Sequence, residues 1–353
     1  MSSEQSILAI PIEPQAHKDV WIYAEMRHGK LIPTAFELLN VAKGLAKDLG
    51  EKLCAVIIGK NVSQHAQMLI DHGADKVFAI EHDSLEQFVD ETYANLLVDL
   101  LIKEKPNKLL MPASIIGRSF GSRVAVQANT GITADVTELN INKEKGGVLN
   151  AIRPSFGGTL MATILCIRGH RPEMATVRPM AFPAGEPEKG RTGEVVKVPV
   201  DLSKWKSRER HIRFEPEENK EVDISGAQTV VAGGYGVGSA EGFKPIFDLA
   251  HLLGAAVGAS RRAVDAGWIP YRHQVGLTGR VVRPKLYIAV GISGQIQHLA
   301  GMNSADTIVC INKDPEAPLM KLATYSIEGD YKEILTAIKD ELQKQGGVTH
   351  TSN

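Results

Sequence analysis

Short apolar runs alternate with helical patterns along this chain, twice over, and nothing else constrains its fold as strongly. "VWIYAE" (Val20 to Glu25), "LCAVIIG", "KVFAIE" and "KLLMPA" are runs of buried-strand type. Between the first two, Leu38, Val41, Ala42, Leu45 and Leu49 recur at helical spacing. Strands alternating with helices predict a parallel α/β layer. Farther on, "LNAIRPSFGGTLMATILCI" reads as two strands around Gly157-Gly158, a hairpin added to that layer. The second half repeats the alternation, with "TVVAGG", "AAVGAS", "KLYIAVG" and "TIVCIN" as strands. Phe243, Ile246, Phe247, Ala250 and Leu253 mark one helix face there; Tyr331, Ile334, Leu335, Ile338 and Leu342 mark another.

Between these halves, from about Phe182 to Gln228, the composition shifts to charge, Pro and Gly. Lys204, Lys206, Arg208, Arg210 and Arg213 are followed by Glu215, Glu217, Glu218 and Glu221. Cancelling charges of this kind describe a solvated linker, with a docking surface for a partner subunit as the sharper alternative. At 353 residues the chain is long for one domain. The expected division is an N-terminal extension over 1–19, an N-terminal α/β domain over 20–205, a linker over 206–228, a second α/β domain over 229–342, and a disordered tail over 343–353.

Composition excludes several classes. A formal net charge of -1 and an aromatic content of 5% favour neither nucleic acid nor an acidic membrane. No apolar run reaches the length of about 18 residues that a membrane span needs. Cys54, Cys166 and Cys310 are far apart in apolar runs, which describes buried, reduced thiols and neither a metal site nor a disulfide framework. The opening "MSSEQSILAIPIEPQAHKD" has no arginine and no signal-length apolar core, so a cytoplasmic location is expected.

The glycine turns fail the standard fingerprints. Gly291-Ile292-Ser293-Gly294-Gln295 lacks the final glycine of a nucleophile elbow, and "GGYGVGSAEG" satisfies G-x-G-x-x-G in no register. What remains are strand ends that all stop in small residues: "GGYG", "GAS" and "GISG". Such ends face the ligand crevice of an open α/β sheet, and helix starts there favour phosphate. A nucleotide-sized ligand along that edge is one expectation; plain tight turns are the other.

Longer motifs then carry a specific likeness. "VGASRRAVDAGWIP", "HQVGLTG" and "LYIAVGISGQIQHLAGM", followed by "TIVCINKDPEAP", closely resemble the signature of the electron-transfer flavoprotein α subunit. "GRSFGSRVAVQANTGITADVTEL" and "EMATVRP" resemble that family's N-terminal domain. The likeness is densest over Thr229 to Leu342 and covers nearly the whole chain. It implies a Rossmann-like, FAD-binding C-terminal domain, a heterodimer with a β subunit docked on the N-terminal domain, and electron transfer between an acyl-CoA or related dehydrogenase and a further acceptor.

Carried over by position, the resemblance assigns FAD contacts to Ser293, Gly294, Gln295, Ile296, Gln297 and His298. The helix start near Gly294 would face the pyrophosphate, and His298 the pyrimidine edge of the flavin, where a donor favours the reduced, anionic ring. Ser260 and Arg261 match the family's "GASR", with Arg261 against the isoalloxazine; Arg262 receives no role and is expected in solvent. Gln274, Val275, Gly276, Leu277 and Thr278 would run beside the ring, the Thr278 hydroxyl near N5. Asn312 and Asp330 match the adenosine end, with Asp330 also suited to cap the last helix, and Tyr331 beside it is included among the cofactor contacts. Tyr235 stands where the family commonly has arginine, so a positive charge expected at the cofactor is missing.

The resemblance also admits a second reading. Some members bifurcate electrons through a second FAD on the β subunit, drawing on NADH and reaching ferredoxin through the complex. A NAD-dependent α/β enzyme, outside the family, is disfavoured by the failed glycine fingerprint and by the lack of an obvious acid–base pair.

Overall fold

A computed structural model describes residues 16–155, 160–166, 169–204, 207–209, 211–213, 224 and 226–344. Gly157-Gly158, Lys206, Arg210, the glutamates at 215, 217, 218 and 221, and most of the predicted N-terminal extension and C-terminal tail lie outside these. The chain divides into two compact units, Met1–Pro154 with Met161–Phe214, and Ser155–Leu160 with Glu215–Asn353.

Up to Val198 the elements are β1 (Val20–Ala24), the short pair β2 (Met26–Arg27) and β3 (Lys30–Leu31), α1 (Thr34–Leu49), β4 (Leu53–Gly59), α2 (Ala66–Asp71), β5 (Lys76–Glu81), α3 (Asp90–Glu104), β6 (Lys108–Pro112), α4 (Ile115–Gln127), β7 (Ile132–Val136), β8 (Glu138–Asn142), β9 (Val148–Ser155), β10 (Leu160–Ile164), β11 (Glu173–Val177) and β12 (Glu194–Val198). Seven strands form one sheet in the order β12-β5-β4-β1-β6-β11-β7, paired in parallel throughout. Both faces are covered. Val20, Ile22 and Ala24 enter one core while Trp21 and Tyr23 enter the other, which is why β1 reads as a continuous apolar run. α1 stops at Gly50, whose left-handed φ of 67° lets its N–H reach back to the Ala46 and Lys47 carbonyls.

Two details depart from the sequence reading. The strands β9 and β10 form, but with β8 they make a separate three-stranded sheet in which β8 and β9 run antiparallel. They do not extend the parallel layer, whose edge strands are β12 and β7. The strand β12 also lies inside the charge-rich stretch that reads as linker. It pairs with β5 along its full length, and the segment before it is anchored by Lys43–Glu188 and Arg191–Asp75 ion pairs. Its alternation is too short and too charged to stand out as a strand, and pairing to β5 decides it.

The second unit contains β13 (Thr229–Gly233), α5 (Lys244–Leu253), β14 (Ala256–Ala259), α6 (Arg261–Asp265), β15 (Leu286–Val290), α7 (Ile296–Leu299), β16 (Thr307–Asn312), α8 (Pro318–Leu322), β17 (Tyr325–Glu328) and α9 (Tyr331–Lys344). Its parallel sheet has the order β14-β13-β15-β16-β17. Again alternate residues enter two cores: Ile288 and Val290 face one, Tyr287 and Ala289 the other. On α5 the buried stripe is Ile246, Leu249 and Ala250, continued by Phe243 just before the helix, whereas Phe247 is 38% exposed. Leu249 lies nearer the centre of the stripe, so it takes the place expected for Phe247. Among the described residues no helix is long and apolar enough to cross a membrane.

Cys54 and Cys310 are buried and Cys166 is partly so. Burial pushes the Cys54 thiol up to about 12 and that of Cys310 to about 11, so both stay protonated and unreactive near neutrality.

Candidate functional site

Chain order along the second sheet reverses between β13 and β15: the chain steps from β13 to β14 on one side, then returns to β15 on the other. Connections leave the two strand ends in opposite directions at such a point, and a crevice opens there. A cavity of 690 Å³ lies at these strand ends, within the range of small-molecule and cofactor sites.

Glycine is required to seat the turns beneath it. The Gly234 N–H donates to the Val290 carbonyl at 2.8 Å and the Gly236 N–H to the Gly291 carbonyl at 3.0 Å. A Cβ at Gly234 would stand 2.1 Å from the Gly291 carbonyl oxygen. These small residues therefore let two strand-end turns touch each other, a tight-turn role that the sequence pattern alone leaves undecided against ligand approach.

The cavity gathers residues from loops after four strands. Tyr235 follows β13, Ser260 and Arg261 follow β14, and Gln274, Val275, Gly276, Leu277 and Thr278 come from the long segment before β15. Ser293, Gly294, Gln295, Gln297 and His298 follow β15, and Asn312 ends β16. Three other residues singled out in the sequence do not line it: Ile296, Asp330 and Tyr331. Tyr331 is buried in the core, with its hydroxyl near the Val237 and Gly242 carbonyls at 3.3 Å. Asp330 accepts the Lys332 N–H at 2.8 Å and pairs with Lys313 at 2.8 Å, which is the capping geometry. Asp330→Ala is expected to cost about 1 kcal/mol of unfolding free energy, with Asp330→Asn recovering most of it, as read by urea titration.

Internal bonds hold the lining loops. The Leu277 N–H donates to the Gln297 carbonyl at 2.7 Å, tying the segment before β15 to the turn after it. The Gln274 amide donates to Thr278 Oγ1 at 3.0 Å, leaving that hydroxyl's own proton available. Asn312 Nδ2 donates to the Ile292 carbonyl at 3.1 Å while its Oδ1 accepts the Asp314 N–H at 3.1 Å. Arg261 Nε donates to Asp265 at 3.3 Å, so its charge is partly offset one turn along α6. The helix expected to begin near Gly294 is a single turn, Ile296–Leu299, with Gln295 before it.

Two buried polar atoms on the lining residues lack partners: Ser260 Oγ and His298 Nδ1. His298 Nε2 lies 3.0 Å from the Tyr287 hydroxyl. That phenol is fully buried and has no other acceptor among the described residues, so it donates to Nε2 and leaves the ring proton on Nδ1. Burial pulls the imidazole down to about 4, against a weaker opposing hydrogen bond to the Val275 backbone, whose geometry is too poor to satisfy Nδ1. His298 is thus a neutral donor near pH 7.

Sequence reasoning missed several lining residues, among them Asp265, Asp314 and, above all, Arg262. Arg262 is not merely solvated: its guanidinium carbon lies 4.0 Å from the centroid of the Tyr235 ring. The available signal was the doubled arginine of "SRR" directly after a strand end.

Two doubly covered parallel sheets, the second with a cavity at its switch point, define an α/β protein of the kind that binds a nucleotide-sized ligand at strand ends. Residues 20–203 match the electron transfer flavoprotein domain, and residues 223–303 match the electron transfer flavoprotein FAD-binding domain. The electron transfer flavoprotein subunit alpha of Thermoanaerobacterium thermosaccharolyticum is 44% identical over 93% of this chain and 98% of its own length. That of Megasphaera elsdenii is 43% identical over 94% and 98%, and protein FixB of Clostridium saccharobutylicum is 45% identical over 90% and 94%. The chain belongs to the electron transfer flavoprotein alpha-subunit family.

Proposed function

We propose that this chain is the FAD-carrying subunit of a heterodimeric electron transfer flavoprotein, accepting electrons from a dehydrogenase flavin and delivering them to a further acceptor. The observation that carries this reading is the pair of orphaned polar atoms, Ser260 Oγ and His298 Nδ1, on residues lining the switch-point cavity. Buried polar groups are paired in native proteins, and a flavin dinucleotide offers both donors and acceptors to satisfy them. The residues present fit the group. Ser260 and His298 would bond it, Thr278 would donate its free hydroxyl proton, and Arg261 would add positive charge. Ser293 to Gln295 and Asn312 would bound its course. When bound, the isoalloxazine supplies the one- and two-electron chemistry. A neutral His298 donor favours negative charge on whatever acceptor it meets without itself supplying or taking a proton near neutrality.

The proposed organisation assigns residues 20–205 to docking a β subunit, 206–228 to a linker and 229–342 to the cofactor, in the cytoplasm. One relative, 38% identical, is by name the acryloyl-CoA reductase electron transfer subunit beta of Anaerotignum propionicum, which favours a partner acting on acyl-CoA thioesters. The test is to purify the chain with its β subunit and count FAD and AMP. One FAD with AMP is expected of a carrier. Two FAD without AMP would replace that reading by electron bifurcation with NADH, and a complex without flavin would end both.

A further inference from the structure

Arg261 and Arg262 are the two cations among the described residues that line the cavity. Their situations differ. Arg261 is paired with Asp265, whereas Arg262 has no carboxylate partner among the described residues. Its interaction is with Tyr235, whose ring in turn lies stacked on Trp268 at 4.9 Å between centroids and 13° between planes. Tyr235 and its neighbour Gly236 occupy the turn after β13, which is bonded to the Gly291 turn after β15. The stack therefore stands at the sheet's switch point.

We infer that Arg262, held by the Tyr235–Trp268 stack, binds the diphosphate of the dinucleotide and supplies the positive charge that residue 235 does not. The inference rests on the FAD reading above. A guanidinium laid against an aromatic face keeps its in-plane N–H donors free, and those donors match paired phosphate oxygens. In an open α/β sheet the phosphates lie at the strand-end turns of the switch point, where Tyr235, Gly236 and Gly291 sit. Tyr235 is then a positioning residue. Its ring limits the rotamers of a long side chain and thereby lowers the entropy lost on binding. Arginine at position 235 is unnecessary because α6 delivers the charge from one residue beyond Arg261.

Affinities of the full-length apoprotein for FAD and for riboflavin, which lacks phosphate, test this. Arg262→Gln should weaken FAD binding by at least about tenfold while leaving riboflavin affinity unchanged, and should flatten the salt dependence for FAD. Arg262→Lys should recover part of the loss. Tyr235→Phe, which keeps the ring, should lose far less than Tyr235→Ala. An equal loss for FAD and riboflavin, or no loss, overturns the inference. So does an unchanged FAD affinity with an altered flavin reduction potential, which would assign Arg262 to the ring. A wild-type protein that binds no FAD would instead overturn the proposed function.

Discussion

Gly234→Ala is expected to lower the stability of the second unit by about 3 kcal/mol or more and to abolish flavin retention. The new methyl carbon would lie 2.1 Å from the Gly291 carbonyl oxygen and 2.7 Å from the Ile292 Cα. Both are backbone atoms, so no side-chain rotation relieves the overlap. The turns after β13 and β15 must part, and the bonds from Gly234 and Gly236 to Val290 and Gly291 go with them. Those turns form the cavity's edge, so stability and binding should fail together. Gly44→Ala provides the contrast. It lies in α1 with nothing within 4 Å of an added Cβ, and alanine there should stabilise by about 0.5–1 kcal/mol. Urea titrations of the two variants, with FAD content measured alongside, decide the matter. A Gly234→Ala protein of wild-type stability would show that the two turns yield to each other easily.

Acid should weaken the second unit through His298. Its imidazole is pulled down by burial to about 4 in the folded protein, against about 6.5 in an unfolded chain. The unfolded state therefore binds more protons between these values, and stability falls as pH drops from 6.5 towards 4. Above 6.5 both states are neutral and the effect is absent. The difference amounts to about 3 kcal/mol once the pH is below 4. His298→Gln has no group that titrates there, so the gap between variant and wild-type stability of the apoprotein should change by that amount across the window. A constant gap from pH 7 to 4 would mean that the buried ring accepts a proton freely.

Much of the fold was legible because both sheets are covered on both faces. Strands such as Val20–Ala24 and Leu286–Val290 must be apolar at nearly every position to fill two cores, and such runs stand out against amphipathic helices. β12 was not legible: Glu194–Val198 is an edge strand, largely exposed, and the charges that keep an edge from pairing with other chains disguise it as linker. Phe247 and Leu249 trade places because helical periodicity defines a stripe, while the sheet beneath determines where its centre falls.

For the site, local sequence carried the long ordered motifs around Ser260, Gln274 to Thr278 and Ser293 to His298, and with them the family and the segments that meet at the cavity. It also marked Asp330 as a possible cap, because an N-cap depends on residues two or three positions away. Tertiary structure alone decided what depends on groups far apart in the chain. The protonation state of His298 is set by its burial and by Tyr287, eleven positions away. The necessity of Gly234 is set by a carbonyl on another strand's turn. Arg262 looks like a solvated surface residue until the strand β13 brings Tyr235 beneath it. In each case the energy lies in contact between side chains or turns from different strands. Sequence order does not encode that proximity; the parallel crossovers of the folded sheet create it.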